Sequence, residues 1–196
     1  MNHRDLLIAL ADLAPIQVQG RFERHVSLKW EELMPSAAGG RWGAPRSFEV
    51  LYLGRPRDSV AAEAYRHLVD DELDAPDMAA QVLERRIITC EVDAPGILDL
   101  RSEAVQAAIG LAEDDLTSEV GNYAPCQRVA AAAHQLRANG LLAPAATGLG
   151  ETLALFPTNL PAENWPVVIQ KGIWHGLPPD PRRLRLLEDE GNPQSP

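Results

Sequence analysis

The chain is predicted to be a single α+β domain with twisted, partly antiparallel sheets flanked by helices. Three observations carry that prediction. Its 196 residues, 45% of them hydrophobic, are enough for one buried core. Segments of helical period and segments of alternating period follow one another irregularly, as in α+β folds, rather than in strict turn. The glycine fingerprint of a doubly wound fold is missing, because Thr147-Gly148-Leu149-Gly150 lacks a third glycine and leads into a strand-like stretch instead of a helix.

Each element has its own signal. Residues 4–13 hold Leu6, Leu7, Leu10, Ala11 and Leu13 at helical spacing and Pro15 stops them, so residues 1–15 read as an N-terminal helix. Residues 16–30 alternate through Val18, Phe22, Val26 and Leu28, an extended segment with Arg24 near its middle. Residues 36–45 are small and glycine-rich, a loop whose backbone can approach a ligand closely. Residues 48–53 form a compact strand, and Ser59 is the expected N-cap of a helix through Ala61, Ala62, Glu63, Tyr65 and Leu68. Residues 70–78, acidic and containing Pro76, read as a surface connection, residues 87–92 as a strand and residues 103–109 as a helix. After the polar residues 113–119, Pro125 fits the first turn of a helix from Cys126 to Asn139 that Gly140 closes. Residues 141–146, 152–156 and 167–170 read as further strands. The main domain is therefore expected over residues 16–176, with a fraying polar tail over 177–196.

Composition narrows the function classes. A net charge of −10 and a pI near 4.9 disfavour direct nucleic-acid binding, since a polyanion is repelled unless a local basic patch overrides the mean. No apolar run approaches the roughly 18 residues that span a bilayer, and residues 1–5 lack the features of a secretory signal, so no membrane partner is expected and the expected compartment is the cytoplasm. Cys90 and Cys126 are read as reduced structural thiols, no histidine pair has metal-binding spacing, and no metal is expected. His134 is read as a packing residue of an alanine-rich helix. A serine hydrolase elbow is absent.

The remaining candidates lie mostly in the first third. Arg24 is flanked by Phe22 and Val26 and is expected to project from the face opposite them, where its guanidinium needs a partner. Arg41 lies in Gly39-Gly40-Arg41-Trp42-Gly43, where flanking glycines allow main-chain N–H groups to join the guanidinium at a phosphate. Arginine forks bind phosphate oxygens in a bidentate way, and a tyrosine such as Tyr52 can stack on a flat heterocycle. Glu63 adds an anion, which stabilises positive charge developing on a sugar as a glycosidic bond breaks. Each has an ordinary alternative: surface carboxylate, core tyrosine, exposed turn arginine.

These segments, together with Leu111-Ala112-Glu113-Asp114-Asp115-Leu116, Cys126-Gln127 and Gly140-Leu141-Leu142-Ala143-Pro144-Ala145-Ala146, closely resemble the RES-domain toxins of bacterial toxin–antitoxin pairs over roughly residues 19–156, and most of all the branch that includes a mycobacterial NAD-degrading toxin. The resemblance implies a fold related to ADP-ribosyltransferases and a toxin that cleaves the nicotinamide–ribose bond of NAD. NAD is then substrate rather than cofactor, and water or inorganic phosphate is the acceptor. It places the family's arginines on Arg24 and Arg41, its aromatic on Tyr52 and its glutamate on Glu63. Arg24 and Arg41 are then expected at the pyrophosphate, Tyr52 at nicotinamide or the adjacent ribose, and Glu63 at a ribose hydroxyl. There are departures: His25 follows the first arginine where tyrosine can stand, and the family's serine positions hold Ala124 and Ala145, so that either activity is weakened or Ser118 or Tyr123 compensates. The partner implied is an Xre-type helix-turn-helix antitoxin over the cleft, which the acidic surface would complement. Two rival readings stand beside this. One is transfer of ADP-ribose to protein, although Ala61, two residues before Glu63, argues against arginine acceptors. The other is a non-catalytic RES binding module.

Overall fold

In a computed structural model of the chain, which describes residues 1–69, 84–118 and 122–183, the helices in chain order are α1 (His3–Ala11), α2 (Arg57–Leu68), α3 (Glu103–Ala108), α4 (Glu113–Thr117) and α5 (Ala124–Gln135). The strands are β1 (Ile16–Ser27), β2 (Leu51–Arg55), β3 (Arg85–Asp99), β4 (Gly140–Pro144), β5 (Glu151–Leu155) and β6 (Val167–Trp174), with a 3-10 turn at Ala162–Asn164. The strands form one sheet in the order β1-β2-β5-β4-β3-β6. All pairings are antiparallel except β3 with β4. Because β1 also pairs with β3 along nearly its whole length, five of the strands close on themselves. The mixed α+β class expected from the sequence is what the chain adopts.

Strands β4 and β5 are buried on both faces, which explains their nearly continuous apolar runs. Leu141, Ala143 and Ala154 point into a core shared with α1 and α5, where Leu6, Leu10, Val129, Phe156 and Trp42 meet. The intervening Leu142, Leu153 and Leu155 point into a second core inside the closed strands, with Val18, Phe22, Leu51, Leu53, Ile88 and Val92. Truncating the fully buried Phe22 to alanine is worth about 3–5 kcal/mol.

Several elements differ from their sequence reading. Strand β3 continues through Pro95 and Gly96 to Asp99. It can do so because its edge partner changes there, β6 pairing with Arg85–Glu91 and β4 with Ile97–Asp99, while the register with β1 shifts between Val18 and Ile16. A proline is tolerated where a ladder is interrupted, and Gly96 takes the positive φ of 68° that the irregularity needs. Gly140 does not cap α5, which ends at Gln135 with Arg137 in the left-handed region. Gly140 opens β4 instead, where a Cβ would lie 2.4 Å from the Ala154 carbonyl oxygen. Residues 113–117 form α4, and the expected connection at 70–78 lies outside the described residues. So do residues 184–196 of the expected tail, but its start is docked on α2: the Tyr65 hydroxyl donates to the Pro178 carbonyl at 2.8 Å and the Arg182 guanidinium lies 5.8 Å from the Tyr65 ring centre. Among the described residues no helix is long and apolar enough to cross a membrane.

Candidate active site

Strand β1 touches β2 through a single registered pair, Glu23 with Gly54. Beyond that pair the two strands part, and a cavity of about 350 Å³ opens between them, within the range of small-molecule sites. Arg24, His25, Arg41, Tyr52, Glu63 and Tyr123 all line it. Residues spread over a hundred positions of sequence thus meet in one place.

Arg24 does not project away from Phe22 and Val26. A strand has a period of two, so the three share one phase of β1, and the Arg24 guanidinium is held by donating from Nη1 to the Met34 carbonyl at 2.9 Å. It has no carboxylate partner among the described residues, and burial pulls its pKa below the usual arginine range.

Three main-chain N–H groups of the glycine-rich loop are already committed: Gly40 and Gly43 exchange bonds with each other, and Trp42 donates to the Tyr52 hydroxyl at 2.9 Å. The glycine at 40 is needed because a Cβ there would stand 2.8 Å from that hydroxyl. Trp42, fully buried, pins the loop to the core. What the loop presents is the Arg41 side chain. Its Nη1 donates to the Asp115 carbonyl at 2.6 Å and to Ser118 Oγ at 3.0 Å, its Nη2 donates to the Ser118 carbonyl at 2.8 Å, and its guanidinium lies 4.6 Å from the Tyr123 ring centre. Three of the five donors are committed to these oxygens among the described residues.

Tyr52 is half-buried, and burial raises its pKa well beyond the ordinary phenol range, so it stays a neutral ring and hydroxyl. Glu63 is on α2 with His67 one turn on, Nε2 to Oε2 3.5 Å, and its side chain is only 23% exposed. The other carboxylate lining the cavity, Glu23, is already committed: Arg57 donates to it at 2.9 and 2.5 Å and Thr89 at 2.9 Å. Burial pushes the Glu23 pKa up, and those bonds outweigh it, holding it below the usual carboxylate range. Glu63 is therefore the acid left for a ligand. His25 stacks on Trp174, ring centres 6.2 Å apart and planes 17° apart, and its Nδ1 lies 3.3 Å from Arg85 Nη2. Burial and the neighbouring Arg85, His67 and Arg24 push its pKa down to about 3.

Sequence reasoning missed several polar lining residues, Arg66, His67, Arg85 and Ser59 among them. Arg66 and His67 follow Glu63 by three and four positions, a helical spacing that could have found them. Arg85 is delivered by β-register alone, opposite Ser27. Ser59 is not the N-cap: α2 starts at Arg57 after Pro56, so Ser59 falls inside the first turn, where its Oγ is buried without a hydrogen-bond partner. Ser118 is absorbed in holding Arg41 and in bonds to the Asp115 and Asn122 carbonyls. Neither Ala124 nor Ala145 lines the cavity, whereas Ser59 and Thr152 do.

The family model described as the RES domain matches residues 20–185. The chain belongs to the RES-domain family. Among curated relatives, the NAD(+) phosphorylase MbcT of Mycobacterium tuberculosis and that of Mycobacterium bovis are each 33% identical over 114 residues, 57% of this chain and 58% of theirs. A probable NAD(+) phosphorylase of M. tuberculosis is 34% identical over 128 residues, 65% of this chain and 58% of its own length. The matches therefore span under two thirds of those relatives. A chain of the crystal structure of the M. tuberculosis MbcT–MbcA toxin–antitoxin complex shares the fold of this RES domain, with a TM-score of 0.75 and 23% identity over 87% of this chain and 92% of that one. The cavity between β1 and β2 is thus a feature of a RES domain, with Arg24, Arg41, Tyr52 and Glu63 all on its wall.

Proposed function

We propose that this RES domain cleaves NAD at the nicotinamide–ribose bond with inorganic phosphate as acceptor, and that it acts as the toxin of a toxin–antitoxin pair. The observation that carries the reading is the charge pattern of the cavity. In a chain of net charge −10, Arg24, Arg41, Arg66 and Arg85 line one pocket and form no ion pair among the described residues, beside Glu63, the lining acid that no arginine there holds. That pattern suits a dianionic diphosphate joined to a sugar on which positive charge develops. Arg24 and Arg41 grip the diphosphate, Tyr52 stacks on nicotinamide or its ribose, and Glu63 holds a ribose hydroxyl while its charge stabilises the oxocarbenium-like transition state. The names of the curated relatives favour phosphate over water as acceptor. Transfer to protein arginines is disfavoured because Ala61 is buried on the far side of α2 from Glu63, so no second acid could act from that position. A fold kinship with ADP-ribosyltransferases and an antitoxin of Xre type seated over the cavity mouth belong to the same reading.

The test is NAD consumption by the purified chain with and without phosphate, against Glu63→Gln. Loss of one group acting on transition-state charge is worth about 10²–10³ in turnover, with little change in KM. A Glu63→Gln protein that consumes NAD at the parental rate would remove Glu63 from the mechanism.

A further inference from the structure

With Arg24 and Arg41 assigned to the diphosphate and Arg66 anchored through Nη2 to the Thr117 and Ser118 carbonyls, Arg85 stands out as the cavity arginine with a buried guanidinium nitrogen that meets no partner among the described residues. It begins β3, between Ser27 of β1 and Trp174 of β6. Its guanidinium lines the cavity and meets no carboxylate among the described residues, and its Nε is buried with no hydrogen-bond partner. Its one side-chain hydrogen bond among the described residues is Nη2 to His25 Nδ1 at 3.3 Å. A guanidinium only donates, so Nδ1 is the acceptor and neutral His25 carries its proton on Nε2. Trp174 stacked on the ring fixes that orientation. The pair thus offers one full positive charge, an idle buried N–H and a neutral imidazole N–H. Arg85 is half-buried, and a partly desolvated charge without a counter-charge and a buried donor without an acceptor both carry a cost. A small oxyanion relieves both at once, whereas a water molecule supplies no charge.

We infer that Arg85, paired with His25, is the binding site of the inorganic phosphate that accepts the ADP-ribosyl group, separate from the arginines that hold the diphosphate of NAD. This rests on the NAD-cleaving reading above. In the step, an oxygen of hydrogen phosphate forms a bond to the ribose C1 as the bond from C1 to the pyridinium nitrogen breaks. The electron pair of that bond neutralises the pyridinium, nicotinamide leaves, and the other product is ADP-ribose phosphorylated at that carbon. Charge and atoms balance with no oxidant, reductant or added proton. Arg85 holds the nucleophile on the ribose while Glu63 stabilises the carbon it attacks.

The experiment is a phosphate titration at saturating NAD with the full chain, comparing the parent, Arg85→Gln and Arg85→Lys. Arg85→Gln is expected to raise the phosphate concentration for half-maximal rate by roughly tenfold or more, while the KM for NAD moves by less than about twofold. Lysine recovers part of the loss because it keeps the charge without the fork. A second arm needs no turnover: line broadening of the ³¹P resonance of inorganic phosphate, without NAD, is expected with the parent and lost with Arg85→Gln. A rate independent of phosphate overturns the assignment, as does an unchanged phosphate requirement with a raised KM for NAD, which would give Arg85 to the diphosphate of NAD itself. If the parent consumes no NAD, the functional reading fails on its own account. The broadening arm still judges the site, and broadening that is absent in the parent or retained in Arg85→Gln rejects it.

Discussion

Replacing Gly40 by alanine adds a single methyl group, and the structure says what it meets. Gly40 is not among the positive-φ glycines, so the backbone itself accepts alanine. The obstacle is Tyr52: its hydroxyl oxygen would lie 2.8 Å and its Cζ 3.2 Å from the new Cβ. Overpacking of this kind costs about 1–3 kcal/mol, less about 0.4–1 kcal/mol regained because alanine restricts the unfolded chain. Tyr52→Phe costs separately, since the buried Trp42 N–H that donates to the hydroxyl at 2.9 Å loses its acceptor, a loss of about 1–3 kcal/mol. In the double variant the oxygen that caused the closest clash is gone. Alanine at 40 is then cheap, and the two costs are expected to fall short of their sum by about 1 kcal/mol or more. Urea denaturation of the four proteins measures this, and in a chain of this length each kcal/mol also moves Tm by about 2–4 °C. Costs that add to within about 0.3–0.5 kcal/mol would refute the claim that the Tyr52 hydroxyl braces the loop carrying Arg41.

Other consequences concern neighbouring side chains. His25 is neutral in the folded chain down to about pH 3 but takes up a proton near pH 6.5 when unfolded, so its share of stability is present above that range and is lost as pH falls from about 6.5 toward 3. The parent should lose up to about 1.4 kcal/mol per pH unit there relative to His25→Phe, and parallel profiles in denaturant midpoints would contradict it. Ser59→Ala removes a buried hydroxyl that bonds nothing among the described residues. Its Tm should hold or rise, and a fall of several degrees would show a hidden partner. Arg41→Lys gives up a guanidinium that makes three hydrogen bonds to Asp115 and Ser118. It is expected to lower NAD turnover at least tenfold although the charge remains, and parental kinetics would show that the fork geometry is irrelevant.

The sequence by itself determined the secondary structure in outline and several of the residues that share one cavity. Alternation marked β1, helical spacing marked α1 and α2, and uninterrupted apolar runs marked β4 and β5, because those signals are local consequences of which faces are buried. Arg24, His25, Arg41, Tyr52, Glu63 and Tyr123 were legible through motif and resemblance, and they do share one cavity. What those side chains do within it was decided by tertiary structure. That Ser118 anchors Arg41, that Glu23 is neutralised by Arg57, and that Arg85 meets His25 at the site all depend on contacts between residues 34 to 77 positions apart. Local sequence fixes the period of a strand but not its neighbours. A strand as long as β3, with breakers in its middle, exists only because β6 and β4 take turns along its edge. Likewise, an arginine's partners, and hence the charge it has left for a ligand, are set by which chains of atoms the closed sheet brings within hydrogen-bonding distance.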